Sequence, residues 1–404
     1  MKSRARIAAW VFVLCAGTGA GAQTPSEPVV LAGGVLTVGG NVSATFGSED
    51  PGFFNYTDYE DSELRMLRVD VSAALRAGSH VSVLGEARSQ NGGMPRAYAL
   101  YVRLRPWTRR PFDIQVGRIP PTFGAFPRRS YESENPLIGY PLAYQYLTSI
   151  RSDAVPASAD ELLRMRGRGW LATYSGSVAG PQAAPGVPLI TASRWDTGVQ
   201  AHLAGGLVDL TGSITTGTLS NPRFGDDNAG RQVAGRVSVY PVAGLILGAS
   251  AAHGPFVSTL AAPAAAGRES GRAFAQTAWG GDVEYSRDYY LVRLETVLSQ
   301  WTLPSLQPPL LDAPLRALAT SVEGRYKLKA GLYVAARLDH LGFSTIAGSA
   351  GPSAWDAPVT RFEAGGGYSL QRNLLLKLAA QFNTRDGGRT RRATLAAGQL
   401  VFWF

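Results

Sequence analysis

Cysteine is almost missing from this sequence: one residue in 404, Cys15. It lies in an export leader. Lys2, Arg4 and Arg6 make a positive start, Ile7 to Cys15 a short apolar core, and Ala20-Gly21-Ala22 an A-x-A cleavage site. Together these read as a cleaved secretory signal peptide over residues 1–22. The mature chain, from Gln23, then has no thiol, which excludes disulfides, thiol catalysis and cysteine-ligated metals. Long apolar runs are missing too. Beyond the leader none approaches the roughly 18–20 residues of a membrane helix, so a helical transporter is excluded while other membrane proteins are not. Lysine is confined to Lys2, Lys327, Lys329 and Lys377, so nearly all of the net charge of +9 is carried by arginine. The arginines are scattered, which with export argues against nucleic acid as a partner. The four histidines, His80, His202, His253 and His340, have no sequence neighbours that would make a nucleophilic or acid–base centre. There is no Walker loop and no H-E-x-x-H. The expectation is a protein that is not an enzyme and carries no cofactor and no metal.

What the chain does have is alternation. In Leu64 to Leu75, Leu67, Val69, Val71, Ala73 and Leu75 share one face, and Arg68, Asp70, Ser72 and Ala74 the other. The pattern recurs in 317–328, 332–343, 360–370 and 374–382. Period two with one apolar and one polar face means strands. The connections alternate as well. Short turns such as 77–79, 205–206, 242–244, 287–288, 329–331 and 371–373 take turns with longer loops at 48–61, 218–229, 255–272, 301–315 and 344–357, rich in Gly, Pro, Ser, Asp and Asn. Short turns at one end and long loops at the other describe a transmembrane β-barrel. Several segments run to 11–14 residues, and a tilted membrane strand needs about 9–11.

Both ends of a single-chain barrel lie on the periplasmic side, so the strand count is even. Strands are expected near 34–47, 63–77, 80–91, 96–106, 111–118, 192–204, 206–217, 230–241, 244–254, 273–287, 289–300, 316–328, 331–343, 358–370, 373–384 and 392–404. The fold class is therefore all-β, a single-chain antiparallel barrel of 16 strands occupying 23–404. Two further candidates, near 142–150 and 163–175, would make it 18. On the 16-strand count, 119–190 is a long insertion, too long to hang free, and it is expected to fold into the lumen and narrow it.

The polar faces should line that lumen. Thirteen basic and eleven acidic side chains fall on them, among them Arg293, Arg325, Arg337, Glu295 and Glu323. Charges are costly against lipid and tolerated in a wet channel, so the spread argues for a water-filled lumen over a plugged one. The insertion adds Arg128 and Arg129, and then Arg164, Arg166 and Arg168, which at strand spacing would share one face. Three guanidinium groups in a row can hold phosphate or carboxylate bidentately. They are the leading candidates for a constriction, with a solvated loop or a patch on lipopolysaccharide phosphates as the alternative. Trp107, Trp195, Trp279, Trp301 and Trp403 sit near expected strand ends or on outer faces, as interfacial girdles do.

Two local motifs sharpen the reading. Ala396, Gly398, Leu400, Phe402 and Phe404 share one face of the last strand, and the chain ends on Phe. This resembles the closing-strand signature of Gram-negative outer-membrane barrels, which implies recognition of Phe402 and Phe404 by the barrel assembly machinery after escort by periplasmic chaperones. The run Gln115-Val116-Gly117-Arg118-Ile119-Pro120-Pro121-Thr122-Phe123-Gly124 resembles the turn after an early strand in the phosphate-selective porin family. That resemblance implies a 16-stranded trimeric anion channel with a basic constriction, although the scarcity of lysine departs from that family's pattern. The expected function is an outer-membrane porin passing small hydrophilic solutes by diffusion, with a mild anion preference. Its surroundings would be outer-membrane lipid and lipopolysaccharide, and its assembly a homotrimer. The alternative is a non-conducting barrel acting as an adhesin, surface-binding or structural protein.

The closing strand must be paired to leave no sheet edge in lipid. Deleting Phe404 is accordingly expected to lower the yield of heat-modifiable barrel and raise periplasmic degradation. Normal yield on unboiled gels would remove the role assigned to the terminal aromatic.

Overall fold

The computed structural model describes residues 27–56, 61–107, 110–176, 181–259, 261 and 274–404. The expected signal peptide, 1–22, lies outside them. Sixteen strands form the wall: β1 Leu36–Gly47, β2 Leu67–Arg76, β3 Val81–Gln90, β4 Arg96–Leu104, β5 Phe112–Ile119, β6 Asp196–Ala204, β7 Val208–Thr215, β8 Gln232–Val242, β9 Leu245–Pro255, β10 Ala275–Arg287, β11 Tyr290–Trp301, β12 Leu315–Lys329, β13 Leu332–Phe343, β14 Val359–Gln371, β15 Leu374–Arg385 and β16 Arg392–Trp403. Each pairs antiparallel with the next, and β16 closes on β1, from Ala397 opposite Gly47 to Trp403 opposite Asn41. Phe404 extends the seam by exchanging backbone hydrogen bonds with Gly40 in both directions, at 3.0 Å. Closure leaves no barrel edge unpaired, as strands in hydrocarbon require.

Alternation decides which face looks where. On β15, Leu375, Lys377, Ala379, Gln381, Asn383 and Arg385 are buried, while Leu376, Leu378 and Phe382 are exposed. The same inversion runs around the wall: Leu67, Val71 and Leu75 point out from β2, and Arg68 and Asp70 in. A soluble protein would bury that apolar band; here it is the lipid-facing surface. Tyr285, Tyr289, Tyr290, Tyr326 and Tyr368 stand exposed at the ends of the short turns, with Tyr290 and Tyr326 packed at 4.8 Å. These rings form an interfacial belt at the periplasmic rim.

The 16-strand count holds, and the two additional strands do not exist. Leu142–Gln145 is a single helical turn (α1) and Ala159–Arg164 a short helix (α2). Ser158 caps α2, its hydroxyl accepting from the Glu161 N–H at 3.4 Å. This S-x-x-E box favours helix over strand. Two smaller elements were not expected from the sequence: Val29–Leu31 pairs with the start of β1, and a hairpin, Thr345–Gly348 with Gly351–Ala354, stands in the β13–β14 loop. The tryptophans also divide differently. Trp107 and Trp279 are exposed as girdle residues should be. Trp301, however, is fully buried among Phe256 and Trp355, because it shares inward parity with Glu295, Val297 and Ser299.

This topology places the loops after β1, β7, β9, β11 and β13 on one side. Cysteines introduced at Gly225 or Ser349 are expected to react with an impermeant maleimide on intact cells, and those at Gly205 or Ala330 to stay unlabelled. The opposite labelling would invert the barrel.

Candidate pore lumen

Between β5 and β6 the chain leaves the wall and crosses the lumen. The crossing starts at Gly124, whose φ of +79° suits glycine and where a β-carbon would collide with the Tyr144 hydroxyl. The Gly124 N–H donates to Ser250 Oγ (3.1 Å) and the Ala125 N–H to Glu295 Oε1 (2.8 Å), which also accepts from Tyr144 Oη (2.5 Å). The turn Phe126–Arg129 follows, and Arg129 pairs with Glu284 on β10 at 2.8 Å. The chain then spans to the opposite wall. Tyr131 Oη donates to Glu86 on β3 (2.6 Å), and Glu132 pairs with Arg68 on β2, which also holds Glu63 at 2.7 Å.

From there the insertion climbs β13–β15, and cations of the wall hold its backbone. Lys377 Nζ donates to the carbonyls of Glu132, Asn135 and Leu137 at 2.8–3.1 Å. Arg337 donates to Gly139 O (2.7 Å), and Arg361 to Tyr140 O (3.1 Å) and to Phe54 O in the β1–β2 loop (2.6 Å). Arg385 donates to Tyr146 Oη at 3.2 Å. The first three are at most 1% exposed. Irregular backbone inside a barrel needs partners for its polar groups, and these cations supply them. Arg337 is compensated as well by Glu323, Asp339 and Glu363, at 3.3, 3.1 and 2.6 Å. At the extracellular end Asp356 accepts from the Ser149 and Gly167 N–H groups, both at 2.7 Å. Burial pushes its carboxyl up from the ordinary range, against those hydrogen bonds. Phe123, Phe126, Leu142, Tyr144, Tyr146 and Ile150 pack with Phe256, Trp301 and Trp355 into one apolar cluster inside the barrel.

The candidate constriction residues therefore separate into two groups. Arg128, Arg129, Arg293, Arg325, Arg337, Glu295 and Glu323 all lie within the barrel, on the crossing loop or on the inward face. Arg164, Arg166 and Arg168 do not share a strand face: α2 ends at Arg164, and a 3-10 turn, Gly169–Leu171, follows Arg168. They lie at the extracellular end, where Arg166 Nη2 donates to Asp386 O in the β15–β16 loop at 3.4 Å. Sequence reasoning missed Lys377 and Arg361 as loop clamps, although a lysine on an inward face of a chain with so few was a signal. It also missed the cross-strand contact of His202 Nδ1 with Asp113, at 3.5 Å.

Ion pairing leaves a residue of charge. Arg68, Arg88, Arg236, Arg293 and Arg337 are paired with carboxylates. Arg76, Arg103 and Arg325 on inward faces, and Arg128 on the crossing loop, have no ion pair among the described residues. Arg128 is exposed to the lumen and looks toward Asp209, Arg236 and Tyr240. Two cavities follow the β1–β5 side. One, of about 430 Å³, opens between Thr37, Asn41, Ser72, Glu86, Tyr101 and Tyr131; the other, of about 520 Å³, lies toward the extracellular ends, beside Gln90, Arg96, Tyr98 and Arg118. Between them stand the Arg88–Asp70 pair (2.6 Å) and the Tyr98–Trp195 contact (5.2 Å).

No protein-family model matches the chain, and no curated protein matches its sequence. Solved structures do. OmpT of Vibrio cholerae in its trimer form is 9% identical, with a TM-score of 0.52 over 91% of this chain and 99% of that one. The anion-selective porin from Comamonas acidovorans is 10% identical, with a TM-score of 0.51 over 91% and 99%. The outer-membrane channel DcaP of Acinetobacter baumannii is 11% identical, with a TM-score of 0.52 over 94% and 100%. At such identities the likeness establishes the fold alone, a closed 16-strand antiparallel β-barrel like that of these porins, and does not confirm the phosphate-selective family.

Removing Arg337 would leave Asp339 and Glu363 without an ion pair, Glu323 with Arg293 alone, and the Gly139 carbonyl without its donor. Arg337→Met is expected to cost about 3–5 kcal/mol, as loss of one partner of a buried pair does. Denaturant unfolding of the barrel in lipid vesicles reads this; unchanged stability would mean that the cluster is solvated.

Proposed function

We propose that the chain is an outer-membrane porin, exported with loss of residues 1–22, through which small hydrophilic solutes diffuse with a mild preference for anions. The observation that carries the preference is the charge left after pairing. Among the described inward cations, Arg76, Arg103, Arg325 and Arg128 have neither an ion pair nor a loop carbonyl to hold, while inward acids such as Asp209 and Glu295 also lack an arginine or lysine partner, so the basic excess left over is small. Mobile ions screen wall charge beyond about 8–10 Å at physiological salt, so only charges close to the path can select. Two cavities on the β1–β5 side leave space beside the crossing loop; Arg76 and Arg103 belong to that side of the wall, whereas Arg128 faces Asp209, Arg236 and Tyr240 on β7 and β8, and Arg325 stands on β12. Arg128 is carried by the crossing loop itself, while Arg129, Arg293 and Arg337 are held in ion pairs and act mainly as scaffold. Porin-like neighbours support this reading over a non-conducting adhesin or anchor. A homotrimer is also proposed, by likeness to the OmpT trimer form; a detergent-corrected mass of one chain by light scattering would contradict it.

Reversal potentials in planar bilayers under a salt gradient test the selectivity. The wild type is expected to favour anions modestly, and Arg128→Ser with Arg103→Ser and Arg325→Ser to shift the potential toward cations. Arg164→Ser with Arg166→Ser is expected to leave it close to wild type. A cation-selective wild type, or a shift caused only by the second set, would place the selective point elsewhere.

A further inference from the structure

The extracellular loops build a second site apart from the lumen. Phe53 of the β1–β2 loop, Tyr146, Arg168 and Trp170 of the insertion, and Arg385 and Arg389 of the β15–β16 hairpin surround a cavity of about 260 Å³. One wall is aromatic. The Phe53 and Trp170 rings stack at 5.6 Å with 22° between their planes, and Tyr56 packs behind them at 4.9 and 5.2 Å. The floor is Tyr146 and Arg385, both buried. Among the described residues Arg385 donates to neutral acceptors, the carbonyls of Gly52, Gly387 and Thr390 and the Tyr146 hydroxyl, at 2.9–3.3 Å. A buried guanidinium without a carboxylate is costly to hold. At the rim Arg168 and Arg389 are exposed, and neither side chain has a hydrogen bond or ion pair among the described residues. Among the described residues no carboxylate lines the cavity. The acids nearby are engaged elsewhere: Asp386 with Arg166, and Asp356 with backbone N–H groups.

From this juxtaposition of stacked rings and three arginines, with no acid among the described lining residues, we propose that the cavity binds a small aromatic carboxylate. The ring lies against Trp170 and Phe53, where offset stacking and the arginine charge favour a π-face. The acid group lies between Arg168 and Arg389, whose forked donors match a carboxylate. The volume is close to the lower end of small-molecule sites, about 300–1,000 Å³, and admits a single ring with its acid group. Free phosphate, or the phosphate of a lipopolysaccharide, would satisfy the arginines but leave the aromatic wall unused; a neutral sugar would do the reverse. The site stands on the placement of these loops, and on the porin reading only in that capture at the mouth would raise the local concentration of such a solute.

Calorimetric titration of the full-length folded barrel in detergent tests this. Benzoate should bind saturably, with benzamide, which lacks the charge, and inorganic phosphate, which lacks the ring, at least about tenfold weaker. Arg168→Ser with Arg389→Ser, and separately Trp170→Leu, should each weaken benzoate about tenfold while the heat-modifiable barrel is retained. Absence of saturable benzoate binding to the wild type would overturn the proposal, as would undiminished binding by the arginine variant. Phosphate binding as tightly as benzoate would also overturn it, in favour of a charge-only patch of the kind lipopolysaccharide occupies. Because the readout is binding and not current, a loss here is separable from a failure of the pore.

Discussion

A row of buried cations on β13, β14 and β15 holds the inserted loop in the barrel. Lys377, Arg337, Arg361 and Arg385 meet successive stretches of the segment 132–146 in order, three of them through main-chain carbonyls. An irregular segment brought inside a membrane barrel loses water from its peptide groups, and an unpaired buried carbonyl costs about 1–3 kcal/mol. Wall arginines answer that cost with several donors each. They also explain why lumen charge is abundant while free lumen charge is scarce: most of it builds the obstruction, and little is left to act on solutes.

That division sets the character of the channel. The extracellular half is packed by Phe54, Tyr146, Leu162, Phe256 and Trp355 into an apolar cluster, whereas the unpaired arginines face the lumen or the crossing turn. On the proposed porin reading, solutes would meet these arginines beyond a crowded entrance. A mild preference follows from such an arrangement more readily than a strict one, since paired charges present little net field to a passing ion. The outside of the barrel obeys a separate demand, that of lipid, and is met by Leu, Val and Phe on alternate positions with tyrosines at the turns. The two demands meet in each strand, which is why the strands alternate so cleanly.

That alternation is also why the wall was legible in the sequence. Lipid outside and polar lumen inside impose period two over 8–15 residues, so all sixteen strands could be placed, with their inward charges. The insertion obeys no such period. Its path is fixed by long-range contacts such as Gly139 with Glu363 and Ser149 with Asp356, which leave no local trace. Arg164, Arg166 and Arg168 looked like a strand face because of their spacing alone; the Ser158–Glu161 capping box a few residues earlier was the readable sign of a helix. Trp301 was misplaced for a similar reason, since its position near a strand end was weighed above its inward parity.

The most direct test of this account is single-channel recording of the wild type beside Arg361→Met with Lys377→Met. The wild type is predicted to show a steady open level. Without its clamps the inserted loop should move, and the current should fluctuate between that level and larger ones. A wild type that never conducts, or a double variant with the same steady current, would contradict a pore narrowed by a loop that wall cations hold in place.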